Sequence, residues 1–237
     1  EAIQRGEATS AIALGTDGSV QPEAVIRFSL LSALSSRNED PTKASRPFEK
    51  SRDGFVMSEG AAALILEDLE QARVRGATII GLVSGCGERA DNFHRTRSNP
   101  DGSSIIGAMK NALADAGLQP GDIGYVNAHG TSTPENDKME ALGLRAVFGE
   151  APPPISSNKS MIGHTLSAAG AIEAAFSLLT LRDQILPPTI NHVEPDPTLG
   201  LDVVPNEARR VSGLRHVLSN SFGFGGQNVC LVLSAAP

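Results

Sequence analysis

Short apolar runs alternate with longer amphipathic segments along most of the chain. Residues 10–15 and 60–67 are apolar runs ending in glycine or acid, which is typical of strands. Residues 22–34 have apolar positions at helical spacing with proline at the start, which predicts a helix. Residues 68–75 are charged and precede Gly76, which predicts a second, short helix.

After Gly76 the alternation begins again and continues almost to the C-terminus. Predicted strands cover 78–85, 123–127, 155–157, 216–220 and 228–233, and predicted helices cover 103–116, 135–148 and 165–183. Strands alternating with helices predict an α/β fold with parallel strand pairing and helices on both faces of the sheet. We therefore divide the chain into residues 1–76, the end of one such unit, and residues 77–237, a complete second unit.

Two further segments of the first unit carry predictions. Residues 35–53 are polar and contain two prolines, and we expect an ordered loop anchored by Phe48 and Phe55. Glu1 to Gly6 resembles the last turn of a helix with a glycine stop, so we expect that a segment precedes Glu1.

Composition narrows the class of protein. With 237 residues, 40% of them hydrophobic, the chain can bury a large core. The formal net charge of −7 argues against nonspecific nucleic-acid binding. Without a long uncharged apolar run or a basic leader, we predict a cytoplasmic protein with no membrane segment. Cys86 and Cys230 are far apart and lack metal-ligand spacing, so we expect two buried free thiols.

A histidine follows the predicted strand at 123–127. His129 is followed by a glycine and three hydroxyl residues before the next predicted helix. Loops after the carboxyl ends of strands are the usual ligand sites of α/β sheets. The position favours a functional site, although a single histidine in such a loop is structural as often as it is catalytic.

A second histidine, His164, follows the predicted strand at 155–157. It precedes a helix whose first turns consist almost wholly of small residues, which let the helix end lie deep in the protein. The positive end of a helix favours a neutral imidazole that still donates one N–H.

Besides the segments around His129 and His164, a third segment is of interest. It is a glycine-rich turn, residues 219–228, between the last two predicted strands. Alone it is weak evidence, because such turns join strands in many proteins and a phosphate loop would be followed by a helix. Its glycines could bring a backbone N–H against a substrate oxygen.

Together the segments around His129 and His164 and the glycine-rich turn resemble the elongating β-ketoacyl-(acyl-carrier-protein) synthases of fatty-acid synthesis. The shared motifs are His129-Gly130-Thr131, Lys159-Ser160-Met161 followed by Gly163-His164, and Gly223-Phe224-Gly225-Gly226 followed by Asn228. Further matches lie at 34–38, 45–48, 52–56 and 186–191. The resemblance implies a thiolase-like α/β fold of two duplicated halves in five layers (αβαβα). Residues 1–76 would end the first half, and 77–237 would form the second.

The same resemblance implies that His129 and His164 are the catalytic pair. Their N–H groups would stabilise the enolate oxygen that forms when a malonyl-thioester loses carbon dioxide. Lys159 would set the local charge and hold the loop of His164, the alternative being a solvated surface lysine.

Glu173 lies within an apolar predicted helix and needs a charge partner there. The resemblance offers Lys159 as that partner. It also offers a structural monovalent cation, which would lie near Asn127, Glu140, Glu173 and Asn220. No other metal is implied.

Five more residues match substrate-binding positions of the family: Thr131, Thr133, Phe222, Phe224 and Phe28. Thr131 and Thr133 would bind the phosphopantetheine arm, and Phe224 would gate the acyl pocket and lend its N–H to an oxyanion hole. Phe28 would line the acyl pocket, with ordinary core packing as the alternative.

The resemblance implies no cofactor, because the substrates travel on the phosphopantetheine arm of acyl carrier protein. It implies a homodimer and a catalytic cysteine upstream of Glu1, on a missing N-terminal half. Neither Cys86 nor Cys230 has the helix N-terminus that lowers a thiol pKa, and we assign neither as the nucleophile. Two alternatives stay open: a thiolase, which would not carry the motif at His129, and a noncatalytic partner such as a chain-length factor, which usually loses both histidines.

Overall fold

The computed structural model describes all residues from 1 to 237. Its strands are β1 (Ser10–Asp17), β2 (Gly60–Glu67), β3 (Gly81–Ala90), β4 (Tyr125–Asn127), β5 (Ile155–Ser156), β6 (Ile185–Leu186), β7 (Arg209–Arg210), β8 (His216–Phe222) and β9 (Gln227–Ala235). Its α-helices are α1 (Pro22–Ser29), α2 (Leu69–Val74), α3 (Ser103–Asp115), α4 (Pro134–Phe148), α5 (Lys159–Ile162) and α6 (Ala169–Asp183).

β1 and β2 form a two-stranded antiparallel ribbon. One face packs on α6, and Gly15 is required there because an added Cβ would lie 2.9 Å from the Cβ of Ala171. The opposite face carries Ile12, Leu14 and Ile65, which are all more than half exposed. The ribbon is therefore covered on one side only.

The second sheet has five strands in the order β3-β9-β8-β4-β5. β4 pairs parallel with β5 and β8, whereas β9 pairs antiparallel with β8 and β3. The prediction of parallel pairing was therefore wrong for β9 and for the ribbon. β8 and β9 are joined by residues 223–226 alone, and so short a turn can connect only antiparallel strands.

The elements stack in layers. α6 lies between the ribbon and one face of the five-stranded sheet, and α3 and α4 cover the other face. An 18-residue buried cluster fills the space under α3 and α4, and an eight-residue cluster lies beside α6. The order ribbon, helix, sheet, helices gives four of the five layers that the family resemblance implies.

Helix boundaries differ from prediction in two places. α1 ends at Ser29 rather than residue 34, and Ser32 then adopts a left-handed conformation (φ 53°). The helix predicted at 165–183 begins at Ala169, after a 3-10 turn at Leu166–Ala168. His164 therefore lies in the break between α5 and that turn.

The loop at 35–53 is ordered as predicted, with Phe48 and Phe55 both buried. The first residues form a helical turn, in which Arg5 N–H donates to the Glu1 carbonyl, and Gly6 has φ 71°. None of the helices combines the length and apolarity needed to span a bilayer.

Candidate active site

His129 stands in the loop between β4 and α4 and is 6% exposed. The carboxylate of Glu140 accepts the backbone N–H groups of His129 (2.9 Å) and Gly130 (2.8 Å). Asn220 on β8 donates to the same carboxylate at 3.0 Å. Burial raises the pKa of Glu140, whereas these three hydrogen bonds favour its ionised form. Glu140 on α4 therefore ties the histidine loop to β8.

His164 is fixed through its own backbone by the segment before β2. Its N–H donates to the Val56 carbonyl at 2.7 Å, and its carbonyl accepts the N–H of Ser58 at 3.0 Å. The ring nitrogen Nδ1 accepts the backbone N–H of Leu166 at 3.2 Å. A nitrogen that accepts carries no proton, so neutral His164 has its N–H at Nε2.

The two imidazoles lie together. Their ring centroids are 5.3 Å apart with an interplanar angle of 82°. Burial lowers the pKa of His164 to about 3 and that of His129 well below its ordinary value, and the charge of Lys159 lowers both further. Both rings are therefore neutral at pH 7, and each neutral imidazole still has one N–H to donate.

A row of aromatic rings passes through this pair. Phe28 contacts Phe55 (5.6 Å between centroids), Phe55 contacts His164 (5.3 Å), and Phe222 contacts His129 (5.9 Å), all edge to face. Phe28 also lines a cavity of about 450 Å³ with Asp17, Leu31 and Leu166 among the other lining residues. The rings join that cavity to the histidines.

Lys159 is 1% exposed and forms a buried ion pair with Glu173. The structure therefore excludes the solvated-lysine alternative and makes Lys159 a partner of Glu173. Burial raises the pKa of Glu173 to about 7, against the effect of the lysine charge. The Lys159 carbonyl accepts the hydroxyl of Ser45 at 2.7 Å, which ties the lysine to the loop at 35–53.

Three buried side-chain oxygens near this ion pair lack a hydrogen-bond donor: Oδ1 of Asn158, Oδ1 of Asn220 and Oε2 of Glu173. Asn158 donates to Asn127 (2.9 Å), and Asn127 donates to the Glu173 carbonyl (3.0 Å). Carboxamide and carboxylate oxygens are the ligands that hard cations prefer. These residues fit a small cation, whereas no cluster of three His, Cys, Asp or Glu suits a transition metal.

The hydroxyl residues after His129 bond mainly to one another and to the protein. Thr131 and Thr133 share a hydrogen bond of 2.8 Å, and Thr133 caps α4 by accepting the N–H of Asn136 at 3.2 Å. Ser132 has φ 70° and its hydroxyl accepts the N–H of Arg46 at 3.0 Å. The loop shape is thus set partly from residues 46–54.

The phenylalanines of the glycine-rich turn differ in exposure. Phe222 is 8% exposed and lies against His129, whereas Phe224 is 48% exposed at the surface.

The expectation of two buried thiols was wrong for Cys86, which is exposed on β3 because its side chain points away from α3. Cys230 is buried on β9, where desolvation raises its pKa. Neither is a thiolate at neutral pH.

Sequence reasoning missed Asp137, Ser132 and Asn158. Asp137 is fully buried, accepts the N–H of Phe48 at 2.8 Å and lies 3.4 Å from Nε of Arg52. A signal existed: Asp137 and Glu140 occupy the same helical face as the buried Leu144, where a carboxylate is unusual. Ser132 and Asn158 carry no comparable signal.

Two family models match the chain. The description "Beta-ketoacyl synthase, N-terminal domain" matches residues 1–72, and "Beta-ketoacyl synthase, C-terminal domain" matches residues 80–193. A Coxiella burnetii protein named 3-oxoacyl-(acyl-carrier-protein) synthase 2 is 48% identical over 98% of the chain and 56% of its own length. A Staphylococcus aureus protein of the same name is 47% identical over 97% of the chain and 57% of its own length. The chain thus spans just over half the length of these curated relatives.

Solved structures give the same picture. A beta-ketoacyl synthase from Burkholderia phymatum has a TM-score of 0.94 and 42% identity, covering 100% of this chain and 57% of the other. A ketosynthase in complex with its type II PKS acyl-carrier protein has a TM-score of 0.96 and 37% identity, covering 100% and 58%. The ishigamide ketosynthase/chain length factor has a TM-score of 0.92 and 39% identity, covering 100% and 56%.

Proposed function

The chain belongs to the β-ketoacyl synthase family and has its thiolase-like α/β fold, and from this premise we propose that it provides the decarboxylating half of a condensing active site. The reaction is the decarboxylative Claisen condensation of fatty-acid or related polyketide elongation. A malonyl-thioester loses carbon dioxide, and the resulting carbanion attacks an acyl thioester held on a cysteine. A carbon–carbon bond forms, and the cysteine thiolate leaves.

The observation that carries the proposal is the buried, neutral pair His129 and His164. Loss of carbon dioxide leaves negative charge on the thioester oxygen, and two N–H donors in a dry site stabilise that charge without reorganising. Burial beside the charge of Lys159 disfavours further positive charge, so the two histidines act as neutral donors rather than as imidazolium ions. The ion pair of Lys159 with Glu173 keeps the site in this state.

We assign the acyl-accepting cysteine to polypeptide outside residues 1–237. Cys230 is buried with a raised pKa, and Cys86 is on β3 with a raised pKa, so neither supplies a thiolate to the histidines. The exposed ribbon face of Ile12, Leu14 and Ile65 offers an apolar surface for that polypeptide to cover.

The substrates of the proposed reaction arrive on acyl carrier protein, as the neighbour structure with its bound carrier protein supports. Thr131 and Thr133 are proposed to bind the phosphopantetheine arm. Phe222 and Phe224 would border its entry, and Phe28 would line the acyl cavity. The assembly is proposed to be a cytoplasmic homodimer without a cofactor.

A monovalent cation is proposed to join Asn158, Asn220 and Glu173, whose buried oxygens lack donors. It would hold these residues beneath the loop of His129 and take no part in the chemical step. Raising the potassium concentration at constant ionic strength should raise the melting temperature of the wild type more than that of Asn220→Leu.

A noncatalytic partner subunit is the second candidate, because burial and neighbouring charges raise the pKa of both cysteines and neither is a nucleophile at neutral pH. Retention of both neutral histidines favours the catalytic assignment. The two candidates separate experimentally, since only a catalytic assembly releases carbon dioxide from malonyl-thioester.

The test uses residues 1–237 assembled with the cysteine-bearing polypeptide. His164→Ala should slow decarboxylation of malonyl-acyl-carrier-protein by on the order of a hundredfold or more, the scale for removing an oxyanion donor. Near-normal decarboxylation in that variant would remove His164 from the mechanism. Incubation of residues 1–237 alone with a carrier protein that bears a labelled acyl thioester should leave no acyl group on Cys86 or Cys230.

A further inference from the structure

Exposed basic residues cluster at the end of β3 and on the loop that follows it, on a chain whose formal net charge is −7. We call Arg89, His94, Arg95 and Arg97 the basic loop; all four are exposed. None of its arginines forms an ion pair, whereas the arginines at 5, 37, 46, 52, 73, 75, 182 and 209 each have an acidic partner within 4.0 Å. The basic loop is therefore a local concentration of uncompensated positive charge.

The shape of this loop is fixed by Asp91, the one acidic residue between Arg89 and Arg97. Asp91 is 8% exposed, and its carboxylate accepts the N–H groups of Phe93 (2.9 Å) and Asn99 (2.8 Å). Its negative charge is thus turned inward onto backbone amides. The arginines face solvent on a backbone that is already ordered.

The basic loop is joined to the glycine-rich turn. Gly225 donates its N–H to the Arg95 carbonyl at 2.8 Å, and the Asp91 N–H donates to the Gly226 carbonyl at 2.7 Å. The two backbones approach so closely that a Cβ at Gly226 would lie 1.8 Å from the Asp91 carbonyl oxygen. The same turn leads to Phe222, which contacts His129. The basic loop is therefore linked through the glycine-rich turn to the candidate active site.

We propose that the basic loop, with the exposed rings of Phe93 and Phe224 beside it, is the surface on which an acidic carrier protein docks to deliver its thioester. This inference rests on the proposed function and adds a location to it. The chain as a whole is acidic and disfavours an acidic partner, so a cluster of uncompensated arginines joined to the glycine-rich turn determines where such a partner approaches. Phe93 and Phe224 are 53% and 48% exposed and provide the apolar contact that such an interface needs at its centre.

The test measures the binding of fluorescently labelled acyl carrier protein to residues 1–237 by fluorescence anisotropy, at low and at physiological ionic strength. Arg95→Glu/Arg97→Glu should weaken binding on the order of tenfold or more, and binding to the wild type should weaken as salt rises. Arg95→Lys/Arg97→Lys should bind nearly as the wild type does, because the charge is kept. Thermal unfolding of each variant verifies that it is folded.

The matched control is Arg210→Glu/Arg215→Glu, which changes the net charge equally at two exposed, unpaired arginines outside the loop. It should leave binding within about twofold of the wild type. Equal losses in both double variants, or none in either, would overturn the location. Coenzyme A binding that depends on Arg95 and Arg97, without carrier binding, would also overturn it.

The proposed function is tested separately, by measuring decarboxylation of malonyl-pantetheine by the assembly that contains the cysteine. This small thioester does not need a docking surface. Carrier binding through the arginines without decarboxylation of malonyl-pantetheine would refute the reaction while the docking site stands. Decarboxylation with carrier binding indifferent to the arginines would refute the docking site alone.

Discussion

Residues 1–76 and residues 77–237 differ in where their large apolar side chains lie. Nine of the sixteen exposed large apolar residues belong to the first region, although it is about a third of the chain. The 18-residue buried cluster draws only Phe48 from the first region, and the eight-residue cluster draws none. The second region has a core of its own, whereas the first depends on contacts made elsewhere.

The first region is nevertheless not loosely attached everywhere. Its loop carries buried Phe48 and Phe55, and Val56 and Ser58 hold the backbone of His164. The ribbon and α1 contribute the exposed residues. The comparison teaches that the first region is organised around the candidate active site on one side and is open on the other. Stability should therefore respond to substitutions in the second region and be nearly indifferent to those on the open face.

The largest effect is expected at the ion pair of Lys159 with Glu173. Glu173→Leu leaves a buried lysine charge without a partner and should lower the free energy of unfolding by about 3–5 kcal/mol. Urea unfolding of the wild type and the variant, at a pH above the pKa of about 7 of Glu173, measures this difference in the free energy of unfolding. The double variant Lys159→Met/Glu173→Leu should regain most of the loss, because neither charge is then buried alone. A double variant as unstable as the single one would contradict the explanation.

Leucine truncation compares the two regions directly. Leu144 is fully buried, and Leu144→Ala should cost about 2–5 kcal/mol because it leaves a cavity. Leu14 is 66% exposed, and Leu14→Ala should change stability by less than about 0.5 kcal/mol. Both are measured by urea unfolding of residues 1–237. A large loss at Leu14 would mean that the ribbon face is already covered in solution, by a second copy of the chain.

Much of the fold was predictable from residue pattern, because the strands and helices of the second region bury one periodic face. The sequence predicted α3, α4 and β4 to within one or two residues, and the histidines after β4 and β5. Strand direction at β9 was not predictable from alternation alone, since it depends on the turn at 223–226. The 3-10 turn before α6 was also missed, because Thr165 to Ala168 fit a helical pattern equally well.

The site was only partly predictable for a different reason. Motif residues revealed the two histidines, but the contacts that position them come from distant segments: Glu140 holds the His129 backbone, and Val56 and Ser58 hold that of His164. Such contacts pair a side chain or peptide with a backbone group far away in sequence. Backbone groups carry no signal in the residue pattern, so only the fold shows them.

The pH dependence of stability tests whether the histidine pair is as dry as its burial indicates. With a folded pKa of about 3 against an ordinary 6.5, His164 stays neutral in the folded state while the unfolded state takes up a proton. Its contribution is present above pH 6.5 and is lost as pH falls toward 3. The free energy of unfolding of His164→Gln should fall less steeply with decreasing pH than that of the wild type, by about 1.4 kcal/mol per pH unit below 6.5. Parallel curves for variant and wild type would contradict the burial.

The smallest expected effect separates the regions at their helix caps. Thr133 accepts the Asn136 N–H at the start of α4, and Asp68 accepts the Gln71 N–H at the start of α2. Thr133→Ala should cost about 1 kcal/mol in global unfolding, because α4 packs in the core.

Asp68→Ala should instead act locally. Ala72 is the only buried residue of α2, so losing its cap should speed amide hydrogen exchange within α2. Global stability should then change by less than about 0.5 kcal/mol. Thr133→Ser and Asp68→Asn keep an oxygen at each cap and serve as controls. Equal global losses at the two caps would show that α2 unfolds together with the core, and the first region would then be as cooperative as the second.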